Sequence, residues 1–242
     1  MTYNFEAIGV VHSCYTEKFG IPRQSGLAPA ARATIELYPP FADPNAFTGL
    51  EQSSHVWVEF IFHKFKPAPF RPRIRPPRLG GNRTVGVFAT RSPNRPNRLG
   101  LSVVKLDSIT THQGRVSLQI SDHDLLDGTP VLDIKPYIPY ADAILHASNT
   151  LAPEPPKQLN VSFSPEAMRN CQQHSDRLQQ DLQTLITQLL AQDPRPQYQT
   201  PDPERRYAMA LLDVDVAWHY ELAEGEAPEV VVINVGRRTS DV

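Results

Sequence analysis

The chain has 242 residues, of which 40% are hydrophobic and 21% are charged, and its formal net charge is −2. These values are ordinary for a globular protein, and no apolar run reaches the roughly 18 residues that a bilayer span requires. Cys14 and Cys171 lie far apart without metal-ligand spacing, which excludes a disulfide scaffold and a zinc knuckle. Residues 1–13 contain Glu6 and no basic stretch, so they predict a first strand rather than a signal peptide, and we expect a cytoplasmic protein.

The basic residues are segregated along the chain. Between Phe60 and Leu106 there are eleven Lys or Arg residues and no Asp or Glu, whereas the remainder has 13 basic residues against 26 acidic ones. A basic stripe on an acidic body is typical of proteins that bind a polyanion, with RNA or DNA as the first candidate. The alternative is a solvated basic face, or arginines that pair with acids from elsewhere in the fold.

The first 140 residues contain short alternating or β-branched runs, separated by Pro and Gly. Helical periodicity is scarcely visible there, so the pattern favours a barrel or a sandwich over a βαβ sheet. We therefore predict a mainly β first domain. The predicted strands are residues 5–12, 33–38, 55–62, 85–89, 102–110, 115–121 and 131–135.

Residues 145–160 are rich in proline and predict a linker or a wrapping arm, with a domain boundary near Pro156. We thus expect one domain over residues 1–155 and a small α+β domain over residues 156–242. In the second domain, Ser164 followed by Pro165 supplies an N-cap and a first-turn proline.

A single long helix is predicted from Ser164 until Pro194 ends the pattern. Residues 207–220 and 230–235 then predict two closing strands. The helix carries apolar residues at helical spacing, namely Leu178, Leu182, Leu185, Ile186, Leu189 and Leu190.

Arginines alternate with prolines in the basic stretch. Pro72, Pro76 and Pro77 stiffen the backbone, so the arginines between them lose less entropy on binding, and guanidinium groups suit phosphates and bases. Alternatively, this is a proline-rich loop whose arginines pair with acids. The residues predicted to contact RNA are Arg71, Arg73, Arg75, Arg78, Arg83, Arg95, Arg98, Arg195 and Tyr198. The last two offer charge and stacking near the chain's C-terminal end, although a helix-terminating loop explains them equally well.

A polar loop over residues 90–98 directly follows the predicted strand 85–89. Arg91 leaves that strand in a position to reach a carboxylate or a phosphate. Read only from its residues, this is a candidate site or a long hairpin loop.

The segment GVFATRSPNRPN, residues 86–97, resembles the signature of the TsaA-like, or TrmO, family of tRNA adenine methyltransferases. Other segments resemble the same family in order along nearly the whole chain. They are IGVVHS at 8–13, KFGIPRQSGL at 18–27, SHVWVEFIFH at 54–63, DLLDGTPVLDIKPYIPYAD at 124–142 and LAQDPRPQY at 190–198.

The resemblance implies a homodimeric β-barrel methyltransferase that uses S-adenosyl-L-methionine and is unrelated to the Rossmann type. It also implies N6-methylation of N6-threonylcarbamoyladenosine at position 37 of tRNA. No GxGxxG loop opens a βαβ unit, which is consistent with a different cofactor pocket. The cofactor-binding residues that the resemblance implies are Pro22, Arg23, Gln24, His63, Lys64, Arg91, Leu101, Asp124, Asp127, Gly128, Thr129 and Pro130.

Methyl transfer needs positioning more than it needs a metal. A nitrogen bonded to a carbamoyl group is a poor nucleophile, so a proton acceptor is expected, and His63, Asp124 and the substrate itself are candidates. The acidic cluster 122–127 is not predicted to bind metal, because alternation along a strand would place neighbours on opposite faces.

Two other functions remain open at this stage. The barrel could methylate a small molecule or protein instead of tRNA, since fold alone does not fix the substrate. It could also be a non-catalytic RNA-binding module, which predicts salt-sensitive RNA binding without cofactor binding.

Overall fold

The computed structural model describes residues 1–66, 69–76, 83–196 and 198–238. Its strands are β1 Gly9–Ser13, β2 Arg32–Leu37, β3 His55–Ile61, β4 Arg73–Ile74, β5 Val85–Gly86, β6 Leu99–His112, β7 Arg115–Ser121, β8 Thr129–Pro136, β9 Val161–Phe163, β10 Tyr207–Leu211, β11 Val214–Glu221 and β12 Glu229–Arg237. Its α-helices are α1 Pro139–Asp142, α2 Pro165–Leu178 and α3 Leu182–Ala191. None of the helices in the described part of the chain has the length and apolar content needed to cross a bilayer.

Six strands of the described chain close into a barrel in the order β1-β2-β7-β6-β3-β8, and all neighbours are antiparallel. Strand β3 shows why this sequence builds a barrel wall. Val56, Val58 and Phe60 are buried, and the residues between them are half-exposed, as the alternation of side chains along a strand requires. The mainly β fold is confirmed, with a barrel rather than a sandwich.

A four-stranded sheet in the order β10-β11-β12-β9 forms the C-terminal region, with helices α2 and α3 packed against it. Trp218 and Tyr220 of β11 and Leu185 and Ile186 of α3 are fully buried in its core. The predicted small α+β unit is confirmed. Strand β9, which pairs in parallel with β12, lacks a sequence signal because it has only three residues.

The prediction of one long helix is wrong. Gln179 adopts a left-handed conformation with φ of 54° and ends α2. Asp181 then caps a new helix, because its side chain accepts a hydrogen bond from the Thr184 amide at 2.9 Å. The apolar stripe from Leu182 onward therefore belongs to α3, and Leu178 belongs to α2.

Two strand predictions also need correction. Residues 207–220 form the hairpin of β10 and β11 rather than one strand, because Leu212 turns the chain with φ of 53°. Residues 85–89 contain only the two strand residues of β5, which are followed by a 3-10 turn at Val87–Ala89.

The loop between β1 and β2, residues 14–31, connects the barrel to the C-terminal region, and we call it the anchored loop. Its Cys14, Tyr15, Ala28 and Ala31 are buried in the hydrophobic core of the C-terminal region, not in that of the barrel. These four residues therefore attach the loop to that core, although its backbone is irregular.

Hydrogen bonds reinforce this packing. The amide of Ala30 donates to Gln188 Oε1 at 2.9 Å, and Gln192 Nε2 donates to the carbonyl of Leu27 at 2.9 Å. The Phe19 ring stacks on Trp218 with centroids 6.1 Å apart. The C-terminal region thus fixes the backbone on both sides of residues 22–24.

Candidate functional site

A cleft of about 740 Å³ lies at one end of the barrel, and we call it the barrel-mouth cleft. The end of β3 and the starts of β6 and β8 form part of its wall, because antiparallel pairing brings them to the same end. Residues 21–24 of the anchored loop and residues from the segment 88–97 complete it. Clefts of about 300 to 1,000 Å³ hold drug-sized ligands.

Asp124 is the only acid among the described residues that line this cleft. Its Oδ1 accepts a hydrogen bond from Ser102 Oγ at 2.6 Å, and the backbone of Ser25 bonds to the same carboxyl group. Removal from water raises the pKa of Asp124, although Ser102, these backbone bonds and the charge of Arg91 act in the opposite direction. A carboxylate held in this way can accept a proton or bind a donor.

His63 lies just beyond the end of β3. Burial and the neighbouring charge of Lys64 lower the pKa of His63, so its neutral form is favoured. Its Nε2 is buried and has no hydrogen-bond partner in the described part of the chain. A Cβ added at Gly128 would stand 3.6 Å from that nitrogen. A buried polar atom without a partner can form a hydrogen bond to a ligand at this point of the wall.

Arg91 is placed by the 3-10 turn that precedes it. The Thr90 hydroxyl donates to the carbonyl of Val87 at 2.8 Å, and this bond ties the end of the turn down. The exposed guanidinium of Arg91 donates to Gln24 Oε1 of the anchored loop. Among the charged groups that line the cleft, Arg91 and Asp124 are thus a cation and an anion that are both held by their neighbours.

Most of the residues predicted to bind the cofactor line the barrel-mouth cleft. They are Pro22, Arg23, Gln24, His63, Lys64, Arg91, Leu101, Asp124 and Thr129.

Asp127, Gly128 and Pro130 do not line the cleft. Asp127 Oδ1 accepts from the Ser13 amide at 2.9 Å, and the Gly128 amide donates to Val11 at 2.8 Å, so both hold the turn against β1. Pro130 pairs with Val10 inside the barrel sheet. Asp127 and Gly128 thus support the turn behind His63, and Thr129 of the same turn lines the cleft. Contact of Asp127, Gly128 and Pro130 with the cofactor stays a prediction.

The cleft fits S-adenosylmethionine by the chemistry of its donors. Phe62, Phe65 and Leu126 supply apolar surface for an adenine ring. Arg91 matches a carboxylate, and Asp124 matches an ammonium group or ribose hydroxyls. The orphaned Nε2 of His63 offers a further polar contact.

A larger groove of about 1,880 Å³, which we call the arginine groove, adjoins the cleft and shares Phe88, Thr90, Arg91 and Arg95 with it. Residues 149–156 of the proline-rich arm form part of its wall. The basic residues that line it are Arg23, Lys66, Arg71, Arg73, Arg75, Arg91, Arg95 and Arg98.

The predicted RNA contacts are not equally available. Arg71, Arg73, Arg75 and Arg83 are exposed. Arg83 does not line the groove in the described residues, and Arg78 lies outside the described residues.

Arg95 and Arg98 are half-buried and bond to backbone carbonyls. Arg95 donates to those of Thr90 and Ser92 at 3.1 and 3.3 Å, and Arg98 donates to that of Phe65. These bonds shape the loop, and the two guanidinium groups also give it positive charge.

Arg195 has an internal role instead of the predicted RNA contact. It is 8% exposed, pairs with Asp193 at 2.7 Å and lies 5.0 Å from the centre of the Tyr220 ring. Its guanidinium is used inside the C-terminal region, so it presents no free face to phosphate. Tyr198 is 60% exposed, and its contact with RNA stays a prediction.

The acidic cluster 122–127 needs a correction to its local structure. It is irregular backbone between β7 and β8, not a strand, and Asp122 has φ of 57°. No group of three or more His, Cys, Asp or Glu side chains in the described part of the chain could hold a metal ion.

Sequence reasoning missed three features of the site. Ser102 looks like an ordinary strand residue, and only the closed barrel brings it to Asp124. Phe70 and Phe88 look like core residues, yet they are 58% and 73% exposed. Their position among arginines in the sequence was the signal that could have indicated their exposure.

Comparison with known proteins gives consistent matches over both regions. A profile of the tRNA-methyltransferase O N-terminal domain matches residues 10–143, and a profile of the TrmO C-terminal domain matches residues 156–237. The chain is 55% identical over 220 residues to a putative S-adenosylmethionine-dependent methyltransferase, RcsF, of Pseudomonas aeruginosa, covering 91% of this chain and 94% of that protein.

Two further similarities add a named activity and a solved structure. The chain is 43% identical over 219 residues to the tRNA (adenine(37)-N6)-methyltransferase of Escherichia coli strain K12, covering 90% of this chain and 93% of that protein. It also aligns with a crystal structure of TrmO from Pseudomonas aeruginosa at a TM-score of 0.81 and 46% identity, covering 98% of this chain and 99% of the other.

Proposed function

The chain belongs to the tRNA-methyltransferase O family, whose members are S-adenosylmethionine-dependent tRNA (adenine-N6)-methyltransferases, and we propose that its substrate is N6-threonylcarbamoyladenosine at position 37 of tRNA. The product is the N6-methyl derivative of that nucleoside. The observation that carries the proposal is the shared wall between the barrel-mouth cleft and the arginine groove. RNA held in the groove has its reactive base beside the cofactor.

The substrate's side chain supports this choice. Threonylcarbamoyl-adenosine carries a carboxylate that an unmodified adenosine lacks. Arg95 lines both the cleft and the groove, where a planar guanidinium can bind that carboxylate. The same boundary would offer no particular advantage to an unmodified base.

The residues of the cleft have different roles in the reaction. When bound, S-adenosylmethionine supplies an electrophilic methyl group on its sulfonium. Arg91 would hold the carboxylate of the cofactor, and the aromatic wall formed by Phe62 and Phe65 would exclude water from the reacting atoms. Fixing both partners in this way provides much of the rate.

We assign the proton acceptor to Asp124 rather than to His63. The N6 nitrogen carries a proton that must leave when the methyl group is transferred, and an acceptor works best when its pKa is near the working pH. Burial raises the pKa of Asp124, which makes its carboxylate a stronger base than an exposed one, whereas burial lowers the pKa of His63 and makes it a weaker base. Asp124 is also the one acid among the described residues that line the cleft, and Ser102 holds its carboxyl group at 2.6 Å. His63 then serves as a contact in the cofactor wall.

The substrate is tested with labelled S-adenosylmethionine and two matched tRNAs, one with the threonylcarbamoyl group and one without it. We expect label only in the modified tRNA. Equal labelling of both tRNAs would contradict the proposed substrate, and no labelling of either would contradict the activity. Efficient labelling of another molecule without RNA would move the activity to a different substrate.

The assignment of Asp124 predicts the behaviour of two variants. Asp124→Asn keeps an oxygen for Ser102 but cannot accept the proton, so kcat should fall by about 10²- to 10⁴-fold. Ser102→Ala should shift the acidic limb of the kcat profile to higher pH, because it removes a hydrogen bond that favours the charged carboxylate.

Steady-state kinetics across pH would measure both effects. Asp133→Asn is the matched control, since Asp133 lies on strand β8 and bonds to Lys135 away from the cleft. An unchanged kcat in Asp124→Asn would exclude this acceptor and return the role to His63 or to the substrate.

We further propose that the chain acts as a cytoplasmic homodimer, with a catalytic domain over residues 1–155 and a second domain over residues 156–242. The second domain's contribution is the support of the anchored loop. Gel filtration and sedimentation would test the dimer, with a monomer of 27.1 kDa as the contradicting result.

A further inference from the structure

Two exposed phenyl rings stand side by side in the arginine groove. Phe70 is 58% exposed and Phe88 is 73% exposed, and their ring centroids are 6.5 Å apart with 30° between the ring planes. Single exposed apolar residues are common on protein surfaces and need no explanation. A pair that lines a cavity among basic side chains is a different arrangement, because it combines apolar faces with positive charge.

The backbone holds this pair in place. Phe70 precedes β4 and Phe88 follows β5, and the pairing of Arg73 with Gly86 brings those two strands together. The amide of Val87 donates to the carbonyl of Pro72 at 2.9 Å, and the Val87 side chain is buried beside Phe88 in the chain. The rings are thus presented to solvent by a fixed support, which lowers the entropic cost of binding to them.

The charges around the pair select a nucleic-acid ligand. Arg71, Arg73 and Arg75 line the same groove and are exposed, and residues 60–106 contain no Asp or Glu. Among the described residues that line the groove, eight are basic and one, Glu154, is acidic. Proteins bind single-stranded nucleic acid with arginines along the phosphate backbone and with aromatic side chains on which the bases stack. An apolar protein partner would not need the arginines.

Phe88 also marks the boundary between the two cavities. It lines both the arginine groove and the barrel-mouth cleft, whereas Phe70 lines only the groove. The reacting base must enter the cleft to reach Asp124. A base stacked on Phe88 is therefore a neighbour of the reacting base, held at the entrance of the cleft.

We propose that Phe88, supported by Phe70, stacks an unpaired base of the anticodon loop adjacent to the methylated adenosine. This inference rests on the proposed function for the identity of the RNA, and it adds a stacking platform to the arginine contacts. The platform would keep that neighbouring base stacked and leave the target base free to enter the cleft.

Variants of Phe88 separate stacking from apolar contact. Phe88→Ala should weaken binding of the anticodon stem-loop by about 5- to 150-fold. Phe88→Trp should bind as well as the wild type, because it keeps an aromatic face, and Phe88→Leu should resemble Phe88→Ala although it keeps apolar area. Phe5→Ala is the matched control, since Phe5 is 69% exposed and lines neither cavity.

The probe is a synthetic anticodon stem-loop with 2-aminopurine on one side or the other of position 37. We expect its fluorescence to be quenched on binding to the wild type and to Phe88→Trp, and to stay high with Phe88→Ala. Equal affinity and equal quenching for Phe88→Ala and the wild type would overturn the proposal. So would a Phe88→Ala variant that keeps its RNA affinity and changes from dimer to monomer, because the rings would then belong to an interface between two copies.

These measurements distinguish the proposed methyltransferase activity from the proposed stacking on Phe88. If the wild type quenches the probe but transfers no methyl group to modified tRNA, the platform stands and the activity does not. If the wild type methylates the tRNA and Phe88→Ala binds and quenches equally well, the activity stands and the platform does not.

Discussion

The two sides of the barrel-mouth cleft are built in opposite ways. The anchored loop, residues 14–31, has irregular backbone but is buried in the core of the C-terminal region and bonded to α3. The opposite side, residues 69–76 and 83–98, is held by a two-stranded pairing of two residues each and exposes most of its side chains. We call this second side the basic rim. A fixed side suits a small cofactor, and an exposed, charged side suits a large, mobile polyanion.

Substitution of Gly20 should have the largest effect on the stability of the anchored loop. It has φ of 85°, and an added Cβ would stand 2.6 Å from Met209 Sδ in β10. Gly20→Ala should therefore lower the free energy of unfolding by about 2 to 4 kcal/mol, combining left-handed strain with overpacking. It should also weaken cofactor binding more than RNA binding.

Gly26→Ala is the control for this change. Gly26 has φ of 84° in the same loop, but nothing lies within 4 Å of an added Cβ. It should show only the backbone strain, about 1 to 2 kcal/mol. Equal unfolding midpoints in urea for the two variants would mean that contact with Met209 does not anchor the loop.

His123, which packs against the anchored loop, should make a smaller, pH-dependent contribution to the free energy of unfolding. Burial lowers the pKa of His123 to about 4, and its ring lies 5.1 Å from that of Tyr15 in the anchored loop. Below pH of about 6.5 the unfolded chain binds a proton that the folded chain does not. Stability should thus fall by about 1.4 kcal/mol per pH unit between pH 6.5 and 4.

His123→Asn removes this titration and can still accept from the Leu125 amide, as Nδ1 of His123 does at 3.2 Å. Between pH 7 and 5, urea unfolding of the wild type should show a loss about 2 kcal/mol larger than that of the variant. Identical losses would mean that His123 is not the group that makes the fold acid-sensitive.

The contrast between the two sides also explains what the sequence could predict. The alternation of Val56, Val58 and Phe60 is local, and it predicts a strand of the barrel without knowledge of its neighbours. The basic rim is contiguous along the chain, so its charge was visible as the gap in acids between Phe60 and Leu106. The barrel and the arginine groove were therefore accessible from sequence.

The contacts that complete the site join distant residues. Ser102 bonds to Asp124 across 22 positions, and Gln192 bonds to Leu27 across 165 positions. No local pattern encodes either pairing. The internal contacts of Arg195 were hidden for the same reason, because the Tyr220 ring beside it belongs to strand β11, 25 positions further along the chain.

The separate roles of the arginine groove, which Arg75 lines, and the barrel-mouth cleft, which Arg91 also lines, are tested most directly by titrating Arg75→Gln and Arg91→Gln with S-adenosylhomocysteine and, separately, with the anticodon stem-loop. Arg75→Gln should weaken RNA binding by about tenfold and lower its salt dependence, while the affinity for S-adenosylhomocysteine stays unchanged. Arg91→Gln should weaken S-adenosylhomocysteine binding by at least about tenfold, because Arg91 bonds to the anchored loop and faces the cleft. If both variants weaken only RNA binding, Arg91 does not hold the cofactor and the two cavities do not have separate roles.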